Sequence, residues 1–236
     1  MIARVSVAAF LTLCFAILGL QSPQAQFNGC SPGFCTPTVA AAQVASNWNP
    51  SDKSANITLS NANLTAAGTN TSDGAVRNTT SHNASKLYFE VLLGGTVAGG
   101  DTGVGIATGA ATLSTIASSA TGAAIIYVIN PGVWFNGSFS ASTGFTSFAA
   151  GDVVRVAVDF GNSKAWFDKN GAGSWYGSSN PGNPATNSQG MNISTLFPTN
   201  AAFAAFTANS ATPTGTLRTI SSQFTFTVPS GFSAWQ

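Results

Sequence analysis

The sequence predicts an all-β fold, a sandwich or a closed barrel, on three observations. From Trp48 onward, short stretches rich in β-branched and aromatic residues alternate with Gly, Asn, Asp and Ser clusters, the pattern of strands joined by turns. No window of about 11 residues sustains a helical apolar period with caps at its ends. The chain has 236 residues with 17 Phe, 5 Trp and 25 Gly, enough apolar bulk for a sizeable core and too much for disorder. No repeat of about 20–50 residues is visible, which disfavours a solenoid or propeller.

Residues 1–25 read as a signal peptide. Arg4 is followed by VSVAAFLTLCFAILGL and then QSPQAQ, with Ala25 as the last signal residue. A charged start, a short apolar run and a small residue at the cut are the marks of export. The run is short for a membrane span, which takes about 20 residues. An uncleaved anchor is the alternative. Residues 26–47 form an N-terminal lead and linker holding Cys30 and Cys35. Two nearby cysteines in an exported chain are a candidate disulfide closing a small loop. The folded domain is expected over 48–236. Location is then secreted, periplasmic or cell-surface, with no membrane contact once the signal is removed; a virion is the alternative.

Strands are expected at Ile57–Leu59, Asn63–Ala66, Lys86–Leu93, Gly103–Thr108, Ile125–Ile129, Val153–Phe160, Lys164–Asp168, Ala202–Thr207 and Gln223–Thr227. Ala110–Ala124 is Ala-rich but interrupted by Gly, Ser and Thr, and reads as loop with a short strand or a turn of helix. The stretch 151–171 is the most informative. A two-residue Gly161-Asn162 loop, with positive φ at both positions, sets Val158 opposite Ala165, Ala157 opposite Trp166, and Val156 opposite Phe167. Val154, Val156, Val158, Phe160, Ala165 and Phe167 then share one apolar face. The other face carries Trp166 over Ala157 between two opposite-charge pairs, Asp159–Lys164 and Arg155–Asp168. A slip of one residue would mix the two sets. Burial fixes the register, at roughly 1.5–3 kcal/mol per large side chain; a cross-strand pair adds only about 0.2–1 kcal/mol.

WNPSDKSANITLS (48–60), KLYFEV (86–91), VGIAT (104–108), GDVVRVAVDF (151–160), KAWFDKNG (164–171), NPATNSQG (183–190) and VPSGFSAW (228–235) together resemble a SPRY (B30.2-like) domain, in the version found in bacterial and phage tail-associated proteins. The resemblance implies an all-β, two-sheet antiparallel β-sandwich of the concanavalin-like jelly-roll type. It also implies a non-catalytic binding module with specificity in loops at one end. The insert at 109–124 offers no motif to align, so the family's contact residues do not carry over.

Composition narrows the chemistry. Eight Lys+Arg face seven Asp+Glu, so phosphate-driven nucleic-acid binding is not expected. The one glutamate, Glu90, sits mid-strand, and no second carboxylate forms a glycosidase motif with it. The one histidine, His82, lies in a polar surface loop, NTTSHNAS, with no nucleophile elbow anywhere. Asp168-Lys169-Asn170-Gly171 fails as a calcium loop, because residue 179 is Ser rather than a glutamate. No metal, no cofactor and no catalytic residue is expected. Trp166, Trp175 and Tyr176, with Arg155 and Asp168 beside them, are the candidate ligand-binding residues, since aromatic rings in Gly/Ser-rich loops suit either sugar stacking or protein contacts. The partner is a protein or a carbohydrate. A phage tail or capsid decoration protein and a secreted glycan hydrolase or lyase on the same fold are the rival readings. Trp48 and Trp235 are expected to close the sandwich where the terminal segments meet.

Overall fold

The structure, a computed structural model, describes residues 42–97, 102–179, 181–198 and 200–236. The signal segment and the Cys30–Cys35 pair lie outside the described residues. Val44–Gln236 form one unit built from two antiparallel sheets packed face to face.

The first sheet contains β1 (Trp48–Lys53), β4 (Gly74–Asn78), β6 (Gly103–Thr108), β7 (Ala123–Tyr127), β8 (Gly132–Phe135), β9 (Ser138–Ser142) and β13 (Ala202–Ala208), in the order β1-β4-β13-β6-β7-β8-β9. The second contains β2 (Ile57–Ser60), β3 (Thr65–Gly68), β5 (Lys86–Gly94), β10 (Val153–Asp159), β11 (Lys164–Lys169), β12 (Met191–Asn192) and β14 (Thr214–Arg218), in the order β12-β11-β10-β5-β14-β3-β2. A last short strand, β15 (Ser233–Ala234), pairs in parallel with Leu87 and Tyr88 of β5. Between the sheets lie Phe89, Val91, Val104, Ile106, Ile126, Val154, Val156, Val158, Phe167 and Phe206, all fully buried. Alternation along each strand delivers these side chains to one face.

The β10–β11 register is the one burial demands: Arg155 faces Asp168, Val156 faces Phe167, Ala157 faces Trp166 and Val158 faces Ala165. Two details differ. The turn spans Phe160–Ser163, and its positive φ falls at Ser163, not at Gly161 or Asn162. Asp159 stabilises it by accepting from the Asn162 main-chain N–H and side-chain amide at 3.0 and 2.7 Å. Asp159 also pairs with Lys86 of β5 at 3.1 Å, while Lys164 donates to Asn187 O instead. The expected Asp159–Lys164 pair is thus replaced by a neighbour from the adjacent strand.

Within the Ala-rich segment, α1 (Leu113–Ser119) makes two turns and ends at Ala120 in the left-handed region. It covers the outer face of the first sheet, where Ala75, Ala107, Ala123 and Ala205 allow a close approach to Ile116. Gln223–Thr227, expected as a strand, instead begins in a 3-10 turn at Ser221–Gln223 and continues irregularly. Strands β1, β4, β8, β9, β12, β14 and β15 are not among those the sequence predicts. In β14 the reason is physical: a Cβ on Gly215 would lie 2.5 Å from the Phe206 ring. The position must be bare for the two sheets to meet, although glycine weakens the strand signal.

Both termini of the unit dock at the same place. Trp48 is fully buried and donates from its indole to Gly215 O at 3.0 Å. Trp235 is fully buried against Phe89 and Phe160, and its indole donates to Thr80 O at 3.2 Å. The Asn47 carbonyl accepts from Thr79 N.

Candidate functional site

Residues 224–232 run as a strap across the outer face of the second sheet, before β15 pairs with β5 and Trp235 enters the core. A row of polar side chains on that face holds the strap down. Glu90, fully buried, accepts from the main-chain N–H of Thr225 at 2.8 Å and of Phe226 at 2.9 Å. Its third donor is the Tyr88 hydroxyl at 2.6 Å, and Arg218 lies 3.5 Å away. Arg155 pairs with Asp168 at 2.6 Å and donates to Tyr88 Oη and Thr227 O at 3.1 and 3.0 Å. Its guanidinium also lies over the rings of Trp175, Phe226 and Tyr88, at 4.5, 5.4 and 5.7 Å. Phe224 meets Tyr88 edge-on at 4.9 Å, and Phe232 meets Trp166 edge-on at 6.3 Å.

Burial sets the electrostatics of this row. It pushes the Tyr88 hydroxyl well above the ordinary tyrosine range, and the Glu90 hydrogen bond adds to that. It also raises the Asp168 carboxyl, against the opposing pull of Arg155. Tyr88 is therefore a neutral donor at physiological pH. None of these groups is open to a substrate, and each has a structural partner. Among the described residues no three His, Cys, Asp or Glu side chains gather to hold a metal.

The five sequence candidates can now be placed. Arg155, Asp168, Trp166 and Trp175 come together beneath the strap, at 6%, 0%, 0% and 6% exposure. Trp166 donates to Ser188 O at 2.8 Å. The loop carrying Ser188 folds onto its ring at Gly190, where a Cβ would come within 2.4 Å. Tyr176 parts from them and enters the core between the sheets. It exchanges both main-chain hydrogen bonds with Phe167 at 2.7 Å. His82 is half-buried rather than a free surface residue. It bridges Ala202 and meets Trp235 edge-on at 4.9 Å, and burial holds its pKa below the ordinary 6.5.

The strand registers bring the loops 79–85, 109–122, 136–137, 160–163 and 193–201 to one end of the sandwich. A cleft of about 270 Å³ opens there between Thr108, Gly109, Ala110, Asn200, Ala201 and Phe203. Arg77 stiffens its wall. The guanidinium stacks on Phe203 at 5.9 Å, is bound by both oxygens of Asp52 at 2.7 Å, and donates to Thr108 O and Ala111 O. Sequence reasoning passed over this cleft because Arg77 and Phe203 are distant in the chain and neither lies in a motif.

Residues 102–151 contain no Asp, Glu, Lys, Arg or His. The charged groups elsewhere are largely engaged: Arg77–Asp52, Lys86–Asp159, Arg155–Asp168, Lys169–Asp152 and Arg218–Glu90 are ion pairs.

No protein-family model matches the chain, and no curated protein sequence matches it. Solved structures do share its fold. The SPRY domain of human HERC1 is 12% identical with a TM-score of 0.57, over 73% of this chain and 97% of that one. The PSpry domain of TRIM65 is 13% identical with a TM-score of 0.51, over 73% and 90%. The two-sheet sandwich is therefore of the SPRY type.

Proposed function

We propose that the chain is an exported, non-catalytic interaction module that grips an uncharged surface of a partner protein with the loops at the cleft end. One observation carries this reading. Glu90 and the Arg155–Asp168 pair hold the strap, whereas the concave opening at the loop end is lined by uncharged residues: a ring, an amide and small side chains. Such a site can seat one side chain of a partner; it has nothing with which to transfer a proton. Its volume lies just below the range of about 300–1,000 Å³ of small-molecule pockets. The SPRY-type fold supports a binding role. Arg155, Asp168, Trp166 and Trp175 serve by fixing the strap, and Tyr176 by filling the core. Export rests on the N-terminal apolar run and the Cys30/Cys35 pair, and the mass of the mature N-terminus checks it.

The test couples two assays on purified chain. Photo-crosslinkers at Gly109 and Asn200 should capture one defined partner from the native source, and Phe203→Ala should abolish that capture. Peptide and polysaccharide panels should show no hydrolysis. Turnover that disappears in a folded Glu90→Gln variant would replace this reading with the hydrolase one.

A further inference from the structure

An asparagine followed by glycine can lose its side-chain amide to attack by the next main-chain nitrogen. Glycine favours that attack, because it has no Cβ to block the approach or to restrict rotation. Asn-Gly occurs three times in the chain, at Asn28, Asn136 and Asn170. The first lies outside the described residues. The other two sit in turns with both residues at positive φ, 47° and 83° at Asn136-Gly137 and 54° and 66° at Asn170-Gly171. Asn-Gly suits such turns, so φ does not separate the two sites. Their surroundings do.

Asn170 is locked. Its Oδ1 accepts from the Val153 main-chain N–H at 2.7 Å, and its Nδ2 donates to Asp152 Oδ1 at 2.6 Å. The Phe226 ring covers Gly171, where a Cβ would come within 2.5 Å of it. Asn136, by contrast, is exposed at the tip of the β8–β9 hairpin. Its Oδ1 accepts from the Gly122 main-chain N–H at 3.1 Å, and among the described residues nothing holds its Nδ2. A Cβ on Gly137 would meet nothing nearer than Thr121 Oγ1, at 3.3 Å. Both amides thus have a main-chain donor on Oδ1, the atom that becomes negative when the nitrogen attacks. Only Asn136 has a free leaving nitrogen and room for the glycine to turn.

From this contrast we propose that Asn136 is a site of enzyme-free covalent modification, converting to aspartate and isoaspartate as the protein ages. Gly137 N gives up its proton to solvent and bonds to Asn136 Cγ. The Cγ–Nδ2 bond breaks, and Nδ2 takes a proton and leaves as ammonia. Water then opens the resulting succinimide at either carbonyl. Residues 102–151 contain no Asp, Glu, Lys, Arg or His, so the product is the only negative side chain in that stretch. The modification is independent of the loop-end binding reading.

The purified full chain tests this, incubated in mildly alkaline buffer while folded and, in parallel, while unfolded in guanidinium chloride. Peptide mass mapping locates each conversion, with Asn136→Asp as the reference product, and enzymatic methylation of isoaspartate counts the isomer. In the folded chain Asn136 should convert at least about tenfold faster than Asn170, a barrier difference of about 1.4 kcal/mol. In the unfolded chain the two sites should convert at similar rates, because the contacts that lock Asn170 are gone. An Asn136 that stays intact in the folded chain overturns the proposal. So does conversion of Asn136 and Asn170 at equal rates in the folded chain, or a preference for Asn136 that persists unchanged on unfolding.

Discussion

At the scale of single residues, Glu90 is the clearest case of a carboxylate doing structural work. Its two oxygens take the Thr225 and Phe226 amides, which have no strand partner. Glu90→Gln keeps the shape but turns an NH₂ toward one of those amides. The expected loss is about 1–3 kcal/mol of unfolding free energy, with faster hydrogen exchange at residues 225 and 226; unchanged exchange there would show that the strap is held elsewhere. His82 gives a pH dependence with a definite sign. Burial against Trp235 lowers its pKa from 6.5, so the unfolded chain binds the proton more readily. Its contribution to stability is complete above pH 6.5 and is lost as pH falls through the lowered value. His82→Phe should therefore flatten the stability–pH curve in that window. Asp159 adds a separate, lower step. Burial opposes its ionisation, but Asn162 and Lys86 outweigh burial and hold its pKa below 3.8. Its contribution disappears only as pH falls below that.

At the scale of elements, the hairpin β10–β11 was legible because both of its faces are demanding. One must fill the core and the other must stack Trp166 over Ala157, so only one register serves. What set the turn geometry was a side chain, Asp159, which the residue pattern of the loop does not display. The strap was not legible for a related reason. Gln223–Thr227 has strand-like composition, but its amides are satisfied by one glutamate more than a hundred residues earlier. The same hidden cover explains why Trp166 and Trp175 read as loop aromatics and lie buried. Without the strap their rings would be surface. β14 was masked by Gly215, whose absent side chain is what lets Phe206 cross between the sheets. Gly215→Ala should therefore destabilise by about 1–3 kcal/mol through overpacking. Denaturant unfolding monitored by fluorescence reads this directly, and a neutral outcome would mean the sheets can part by the width of a methyl group at little cost.

At the scale of the whole molecule, the fold is closed by its ends. Asn47 and Trp48 dock on Thr79 and β4, and Trp235 docks on Thr80, so distant parts of the sequence converge on residues 78–82. Such non-local closure makes folding slow and makes the sandwich stand or fall as one unit. Trp48 and Trp235 each lie wholly inside the core cluster. Replacing either by Ala removes a large buried ring and also leaves a carbonyl, Gly215 O or Thr80 O, without its indole donor. Each variant should lose about 3–5 kcal/mol. The urea midpoint should drop while the slope of the transition stays the same, because the surface exposed on unfolding is unchanged. The contrast lies in how the loss is distributed. If the ends close a single cooperative unit, far-ultraviolet circular dichroism and tryptophan fluorescence will trace one coincident transition in both variants. If the strap instead rests on an independently stable sandwich, Trp235→Ala will release residues 224–235 in a first step, with the sheets melting later at the wild-type midpoint.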